Sequence, residues 1–401
     1  MHNILQMLIF ATKSKEKMQI NPFIVAGRIP AEYFCDRVEE SNLLLQHITN
    51  QVNTVLISPR RVGKTGLVNF CFERPELEEY ITISIDILHT TSLREFTMEL
   101  GSAVFQRIAK RSSKMMKTFT ATLRSLSASF GFDPIQNTPT FDIKLGDITA
   151  PQYTLEEIFR CIEAADRRCI VVIDEFQQIT NYPEKNVEAL LRSHIQKMRN
   201  ANFIFAGSQR HIMGEMFLSP QRPFYQSTAQ LSLNPIALDI YTKFVLHHFR
   251  IAKKDITTEA IELVYNTFNG VTFYIQRIMH DAWATTSAQS ICDVSLVTEL
   301  IERLITENAS RLREQLAFIT EQQKELLYAI CSEGTAERIT SSAFIKRHRL
   351  KSASAVQSAI KRLLEYDIVT ENERRYTLAD PLMQLWLNHS TSLTTIRHNQ
   401  N

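Results

Sequence analysis

Glycine is scarce in this chain: ten residues in 401. Leu, Ile, Glu and Lys are plentiful, and these are good helix formers where glycine is a poor one, so the composition points to a helix-rich fold. The six cysteines, Cys35, Cys71, Cys161, Cys169, Cys292 and Cys331, form no Cys-x-x-Cys pair. That scatter excludes a disulfide framework or a zinc site of ordinary spacing and fits reduced thiols in a cytoplasmic protein. His211, His247 and His248 have no carboxylate or cysteine at metal-ligand spacing and read as structural. No Ser/His/Asp set and no catalytic-cysteine context occurs. Charge of one sign is also lacking: the net charge is +2, which by itself names no partner. No apolar run is long enough to span a membrane. The one short run near the start, Ile4 to Ala11, has no basic residues of a signal peptide ahead of it. Met1–Lys17 therefore reads as a non-native leader with Met18 as the start; a weak signal peptide is the alternative.

What is present is concentrated in two places. The first is Ser58-Pro59-Arg60-Arg61-Val62-Gly63-Lys64-Thr65. It follows a short apolar strand, Thr54–Ile57, and precedes an amphipathic stretch from Gly66. Strand, tight loop and helix start are the context a phosphate-binding loop needs. Backbone N–H groups of the loop and of the first helical turn would point at phosphates, and the helix dipole would favour their charge. Lys64 would reach the β- and γ-phosphates, and the Thr65 hydroxyl would ligate Mg²⁺. Ser58 stands where this motif usually opens with Gly, which a negative φ would allow. The second place is Ile170-Val171-Val172-Ile173-Asp174-Glu175, a buried parallel strand ending in two acids. Ligands of open α/β sheets bind at that end. Asp174 would hold Mg²⁺, and Glu175 would polarise an attacking water. Taken singly, Gly-Lys-Thr could be chance and the acids a solvated turn; the two motifs in order point to nucleotide binding.

Strands at Thr54–Ile57, Tyr80–Ile87, Cys169–Ile173 and Phe203–Ala206 alternate with helical patterns at Glu39–Ile48, Thr65–Phe72, Ser92–Arg111, Leu155–Arg167 and Asn186–Met198. Alternation of this kind means βαβ units and a parallel sheet. The long spacing from Lys64 to Asp174 accommodates an insertion at 112–150, in which Pro139–Leu145 alternates like a hairpin strand. At the end of the fourth strand, Ser208 could bond the γ-phosphate or the attacking water, or simply cap the following turn. Arg210 and Arg222 are candidates for sensing phosphate charge, with plain surface arginines as the alternative.

From 236 the pattern is all-helical: Leu238–Arg250, Thr258–Phe268, Phe273–Thr285 and Val294–Phe318. The last part holds helices at Glu321–Cys331, Ser341–Arg347 and Ser352–Glu365, then short strands at Ile368–Thr370 and Arg375–Leu378. Three helices and a hairpin make a winged helix-turn-helix. Its recognition helix would present Ser352, Ser354, Gln357 and Ser358, with Lys346, Arg347, Arg349, Lys351, Lys361, Arg362, Arg374 and Arg375 placed for phosphates. A protein-docking module is the competing reading, because Glu365, Glu371 and Glu373 offset the local charge.

With these residues in hand, the chain resembles the archaeal-type ATPases of the STAND class of P-loop NTPases, relatives of the AAA+ proteins, from about Asn21 to Asn388. Phe34-Cys35-Asp36-Arg37-Val38-Glu39-Glu40 resembles the family segment that lies near the adenine; Arg37 matches, while Asp36 and Val38 stand where Gly and Glu are usual. Ser58–Leu67 resembles the phosphate loop, departing at Ser58 and Gly66. Asp174-Glu175-Phe176-Gln177 resembles the family's strand end, and Arg375–Leu387 its winged-helix terminus. Asn269-Gly270-Val271-Thr272 falls where a lid Gly-x-Pro is expected, with Thr272 in place of Pro. The resemblance implies an α/β P-loop domain over 21–235, a helical lid over 236–318 and a winged helix over 319–390, with a leader at 1–20 and a tail at 391–401. It implies a slow, Mg²⁺-dependent ATPase that works as a switch, adenine being preferred since no Asn-Lys-x-Asp guanine motif occurs. Double-stranded DNA through the winged helix, or a protein effector, would be the partner. A DNA-binding regulator with structural nucleotide and a docking module of a toxin or defence system are the alternatives.

Overall fold

The computed structural model describes residues 20–125, 130–133, 138–141 and 144–398. The leader therefore lies outside the described residues save Ile20. The chain forms two compact units. One holds Arg37–Asn234 and Leu364–Glu373; the other holds the residues up to Asp36, Pro235–Leu363 and Arg374 onward.

The first unit is built on five parallel strands: β1 (Thr54–Ile57), β2 (Ile81–Asp86), β5 (Cys169–Asp174), β6 (Ala201–Gly207) and β7 (Ala229–Ser232). Their order across the sheet is β2-β5-β6-β1-β7. The helices are α1 (Val38–Thr49), α2 (Lys64–Phe72), α3 (Leu93–Arg107), α4 (Ser113–Thr122), α5 (Pro151–Glu163), α6 (Val187–Ile195) and α7 (Arg210–Leu218). The interior strand β1 is buried at every position, whereas the edge strand β2 alternates, burying Ile81, Ile83 and Ile85. Apolar side chains without polar breaks can only sit in a strand covered on both faces. Phe96, Leu100 and Val104 of α3 and Leu155, Ile158 and Ile162 of α5 are fully buried on this sheet. Four phenylalanines, Phe176, Phe205, Phe217 and Phe224, form a ring cluster with centroids 4.6–5.8 Å apart.

The sheet's four sequence-read strands are found within two residues of their expected ends. The expected helix Ser92–Arg111 is broken: α3 ends at Arg107, and Ala109–Arg111 is a 3-10 turn. Ser112 then caps a separate helix, its Oγ accepting from Met115 N at 3.2 Å, as a β-region Ser does at an N-cap. The insertion thus opens with α4, followed by an antiparallel pair, β3 (Phe130–Asp133) and β4 (Thr138–Phe141). The expected hairpin strand at 139–145 overlaps β4.

The second unit is helical. It contains α8 (Leu238–Ile251), α9 (Thr258–Thr267), α10 (Thr272–Thr285) and α11 (Val294–Ala317), with a two-residue parallel bridge between β8 (Asp255–Ile256) and β9 (Ile291–Cys292). The segment before α1 is anchored here: Asn21 Nδ2 donates to His280 O at 2.9 Å, and the buried Phe23 ring lies 5.8 Å from those of Phe244 and Phe249. Then follow α12 (Glu321–Glu333), β10 (Ala336–Glu337), α13 (Ser342–Arg347), α14 (Ala353–Glu365), β11 (Val369–Asn372), β12 (Arg375–Leu378) and α15 (Pro381–His398), β11 lying in the Leu364–Glu373 segment of the first unit. Strand order β10-β12-β11 with α12 to α14 is a winged-helix arrangement. The wing's turn residues, Glu373 and Arg374, both take positive φ, as a tight hairpin requires. Among the described residues no helix is long and apolar enough to cross a membrane.

Candidate active site

The β1–α2 loop takes the shape its residues allow. Arg61 and Gly63 have φ of +66° and +96°, and at +96° any side chain would be strained, so the glycine is required there. Ser58 keeps negative φ and is buried, which is why serine is tolerated at the loop's first position. Val62 is buried under the loop, while Arg60, Arg61, Gly63 and Thr65 are exposed. Lys64 opens α2; its Nζ donates to the carbonyls of Ser58 at 3.3 Å and Pro59 at 3.2 Å. Burial pushes the Lys64 ammonium down from its ordinary pKa, against the opposing pull of Glu175 and Asp174. Gly66 follows in the first turn of α2.

The end of β5 meets this loop across a short gap. Thr65 Oγ1 donates to Asp174 Oδ2 at 3.1 Å. Burial, and then the neighbouring Glu175 charge, push the Asp174 carboxyl up. Two hard oxygens so close suit Mg²⁺, which keeps several waters and needs few protein ligands. Glu175 sits at φ +54°, which turns its side chain away from the strand's continuation. Its Oε2 accepts from Ser208 Oγ at 2.7 Å and from Gln177 Nε2 at 2.6 Å. Ser208 also accepts from Arg60 Nε at 3.2 Å, so the hydroxyl links the phosphate loop to the acid.

Strand order explains this linkage. β6 lies between β1 and β5, so the residue following it, Ser208, falls between Arg60 and Glu175. Gly207 leaves room for it: a Cβ there would stand 2.5 Å from Gln177 Oε1 and from Met213 Sδ.

Arg37 is buried and holds the loop from below, Nη2 donating to Val62 O at 3.3 Å and Nη1 pairing with Glu40 at 2.7 Å. Arg222 is not brought to the cluster: it pairs with Glu188 at 2.5 Å and Glu215 at 3.5 Å, bracing α6 and α7. Arg210 begins α7, two residues past Ser208, and is exposed. In the winged-helix region Ser354, Gln357, Ser358, Lys361 and Arg362 lie exposed on α14, but Arg347 is tied to Glu333 at 2.6 Å and Arg375 to Glu337 at 2.8 Å.

Two residues join the site without having been singled out from the sequence. Gln177 was visible only as part of the Asp-Glu-Phe-Gln strand end; its contact with Glu175 is a side-chain geometry that no spacing reveals. Asp367 carries no motif at all. Its Oδ2 lies 2.9 Å from Arg60 Nε, and burial pushes its pKa from 3.8 to about 6 despite that partner.

A five-stranded parallel sheet with a phosphate loop after β1, acids after β5 and a helical region carrying a winged helix define a P-loop ATPase. The family model for "ATPase domain predominantly from Archaea" matches residues 34–278, more than half of the chain, and that for "Probable winged helix domain" matches 311–389. The chain belongs to this archaeal-type ATPase family. Among solved structures it is similar to the Walker-type ATPase of Pyrococcus abyssi, at 18% identity and a TM-score of 0.66 over 92% of this chain and 99% of that one. It is also similar to the ORC2 protein of Aeropyrum pernix, in ADPNP–ADP complexes, at 14% identity and a TM-score of 0.58 over 94% and 99%. No curated protein matches the sequence.

Proposed function

We propose that the chain binds ATP with Mg²⁺ on the β1–α2 loop, hydrolyses it slowly and acts as a nucleotide-dependent switch. The carrying observation is the chain Arg60–Ser208–Glu175 beside the Thr65–Asp174 pair. In this reading the N–H groups of Arg61 to Thr65 hold the phosphates, and Lys64 turns from the Ser58 and Pro59 carbonyls to the β- and γ-phosphates. Thr65 and Asp174 hold Mg²⁺, which when bound neutralises charge developing on the transferred phosphoryl group. Glu175 orients and deprotonates the water; Gln177 and Ser208 occupy its Oε2 and leave Oε1 for that water. Arg37 acts by supporting the loop.

As a switch, the nucleotide must bind one arrangement of the two units better than the other, by about 5.5 kcal/mol for full reversal. We place the functional boundaries at 21–235, 236–318 and 319–390. The exposed polar face of α14 favours DNA as what the switch governs; a protein effector docking there is the other output.

Phosphate release tests the reading. Glu175→Gln should bind ATP with unchanged affinity and lose turnover about 100-fold or more. Lys64→Ala should lose binding. Ser208→Ala should keep binding and lose turnover about tenfold. Unchanged ATP affinity in Lys64→Ala would remove the phosphate-loop assignment.

A further inference from the structure

From Leu100 to Phe132 the chain carries no Asp or Glu, yet it carries Arg107, Lys110, Arg111, Lys114, Lys117 and Arg124. In a chain with 45 basic and 43 acidic residues this is a local excess that the near-zero net charge conceals. The fold puts all six on the outside. Arg107 ends α3, Lys110 and Arg111 sit in the 3-10 turn, and Lys114 and Lys117 lie on the open face of α4, each exposed. The opposite face of α4 is committed to the core: Met115, Phe119 and Leu123 are buried, with the Phe119 ring 5.5 Å from Phe105.

Among the described residues, few acids pair with these cations. Asp166 stands 4.0 Å from Arg111, and Glu79 is taken by Arg167 at 3.4 Å. Arg107, Lys110 and Arg111 also line a cleft of about 260 Å³ with Tyr80, Ile81, Thr82 and Gln106, at the N-terminal end of β2. The strands are parallel, so this cleft lies at the end of the sheet opposite Lys64 and Asp174. The patch is thus separate from the nucleotide site.

We infer that the α3–α4 corner of the ATPase unit is a docking surface for the phosphate backbone of double-stranded nucleic acid. The charge is of the right sign and spans at least α4, about 15 Å at 1.5 Å per residue, a length over which a duplex presents several phosphates. Hydroxyl and amide groups, Gln106, Ser112 and Ser113, are interleaved with the cations, as at backbone-positioning surfaces. A membrane surface fits less well. Binding in a lipid interface needs apolar side chains to insert, and no exposed large hydrophobic residue lies between Arg107 and Arg124. The inference rests neither on the ATP reading nor on the winged helix.

The test is fluorescence anisotropy of the full chain with a labelled duplex of ~30 base pairs, between about 50 and 200 mM salt. Three proteins are compared: wild type, Lys110→Glu/Lys114→Glu/Lys117→Glu, and Lys346→Glu/Lys351→Glu/Lys361→Glu in the winged-helix region. The α4 triple should weaken binding at least tenfold near 100 mM salt and flatten the log K against log salt slope by about 0.9 for each phosphate no longer neutralised. Lys114→Gln/Lys117→Gln, with its melting curve as the check on folding, should flatten it by about two such steps. An unchanged slope in both α4 variants, or no duplex binding by wild type at the lowest salt, would overturn the inference. So would phosphatidylserine vesicles that bind wild type and displace the duplex while the α4 triple loses only vesicle binding.

Discussion

At Asp367 the fold holds a carboxylate where burial makes its charge costly. Arg60 Nε, 2.9 Å away, offsets only part of that cost, and the pKa rises from 3.8 to about 6. Between those values the folded chain keeps a proton that the unfolded chain has released. Stability from this group therefore falls as pH rises through that window and levels off above about 6. Asp367→Asn should flatten this part of the stability profile and gain up to about 3 kcal/mol at neutral pH, less whatever the lost pairing with Arg60 contributed. Urea unfolding of wild type and variant between pH 4 and 7 checks it; parallel profiles would show that Asp367 does not titrate there. Arg60 divides one N–H between Asp367 and Ser208, so a phosphate drawing on Arg60 competes with both. Lys64, Thr65, Asp174 and Glu175 were legible as residues, because a phosphate loop and an acid-tipped buried strand are local patterns. Gln177 and Asp367 were not, because their roles exist only through side-chain geometry.

Among the elements, β6 matters most to the site. It is the strand that separates β1 from β5, and its last residue, Gly207, leaves space filled by Gln177 and Met213. Gly207→Ala should cost about 1–3 kcal/mol, as overpacking does, and should also slow ATP turnover, since Gln177 must move and Gln177 holds Glu175. A melting curve and a phosphate-release assay on the same protein decide this. A lowered melting temperature with unchanged turnover would separate Gln177 from the acid's positioning. Four strands of this sheet announce themselves as continuous or alternating apolar runs. β7 does not: Ala229-Gln230-Leu231-Ser232 buries only Leu231, too little pattern for a strand whose pairing with β1 is a matter of register. The break between α3 and α4 was likewise hidden, since Arg107 to Lys117 keeps helical spacing through it, and only Ser112 and its cap mark the new start.

Taken whole, the chain keeps all six thiols inside. Burial pushes Cys71, Cys292 and Cys331 up to about 11 and Cys161 and Cys169 up to about 12, so thiolate is rare and shielded. Ellman's reagent at mildly alkaline pH should leave the folded chain unreacted and titrate all six thiols in guanidinium; reaction in the folded chain would expose local opening around the thiol that reacts. The sequence by itself determined the kind of molecule: scarce glycine, alternating strand and helix periods, a phosphate loop and a three-helix hairpin terminus are encoded within short windows. It also marked Lys64, Thr65, Asp174 and Glu175 as the candidate site residues. Tertiary structure alone decided how they cooperate. The order β2-β5-β6-β1-β7 places Ser208 between Arg60 and Glu175, and the fold delivers Asp367 to Arg60 from more than 300 residues away along the chain. The same holds for the basic corner, where amphipathic burial of Met115, Phe119 and Leu123 sends every cation outward. The physical reason is range: periodicity and turn chemistry act over a few residues, whereas strand order and side-chain packing are settled by burial across the whole domain.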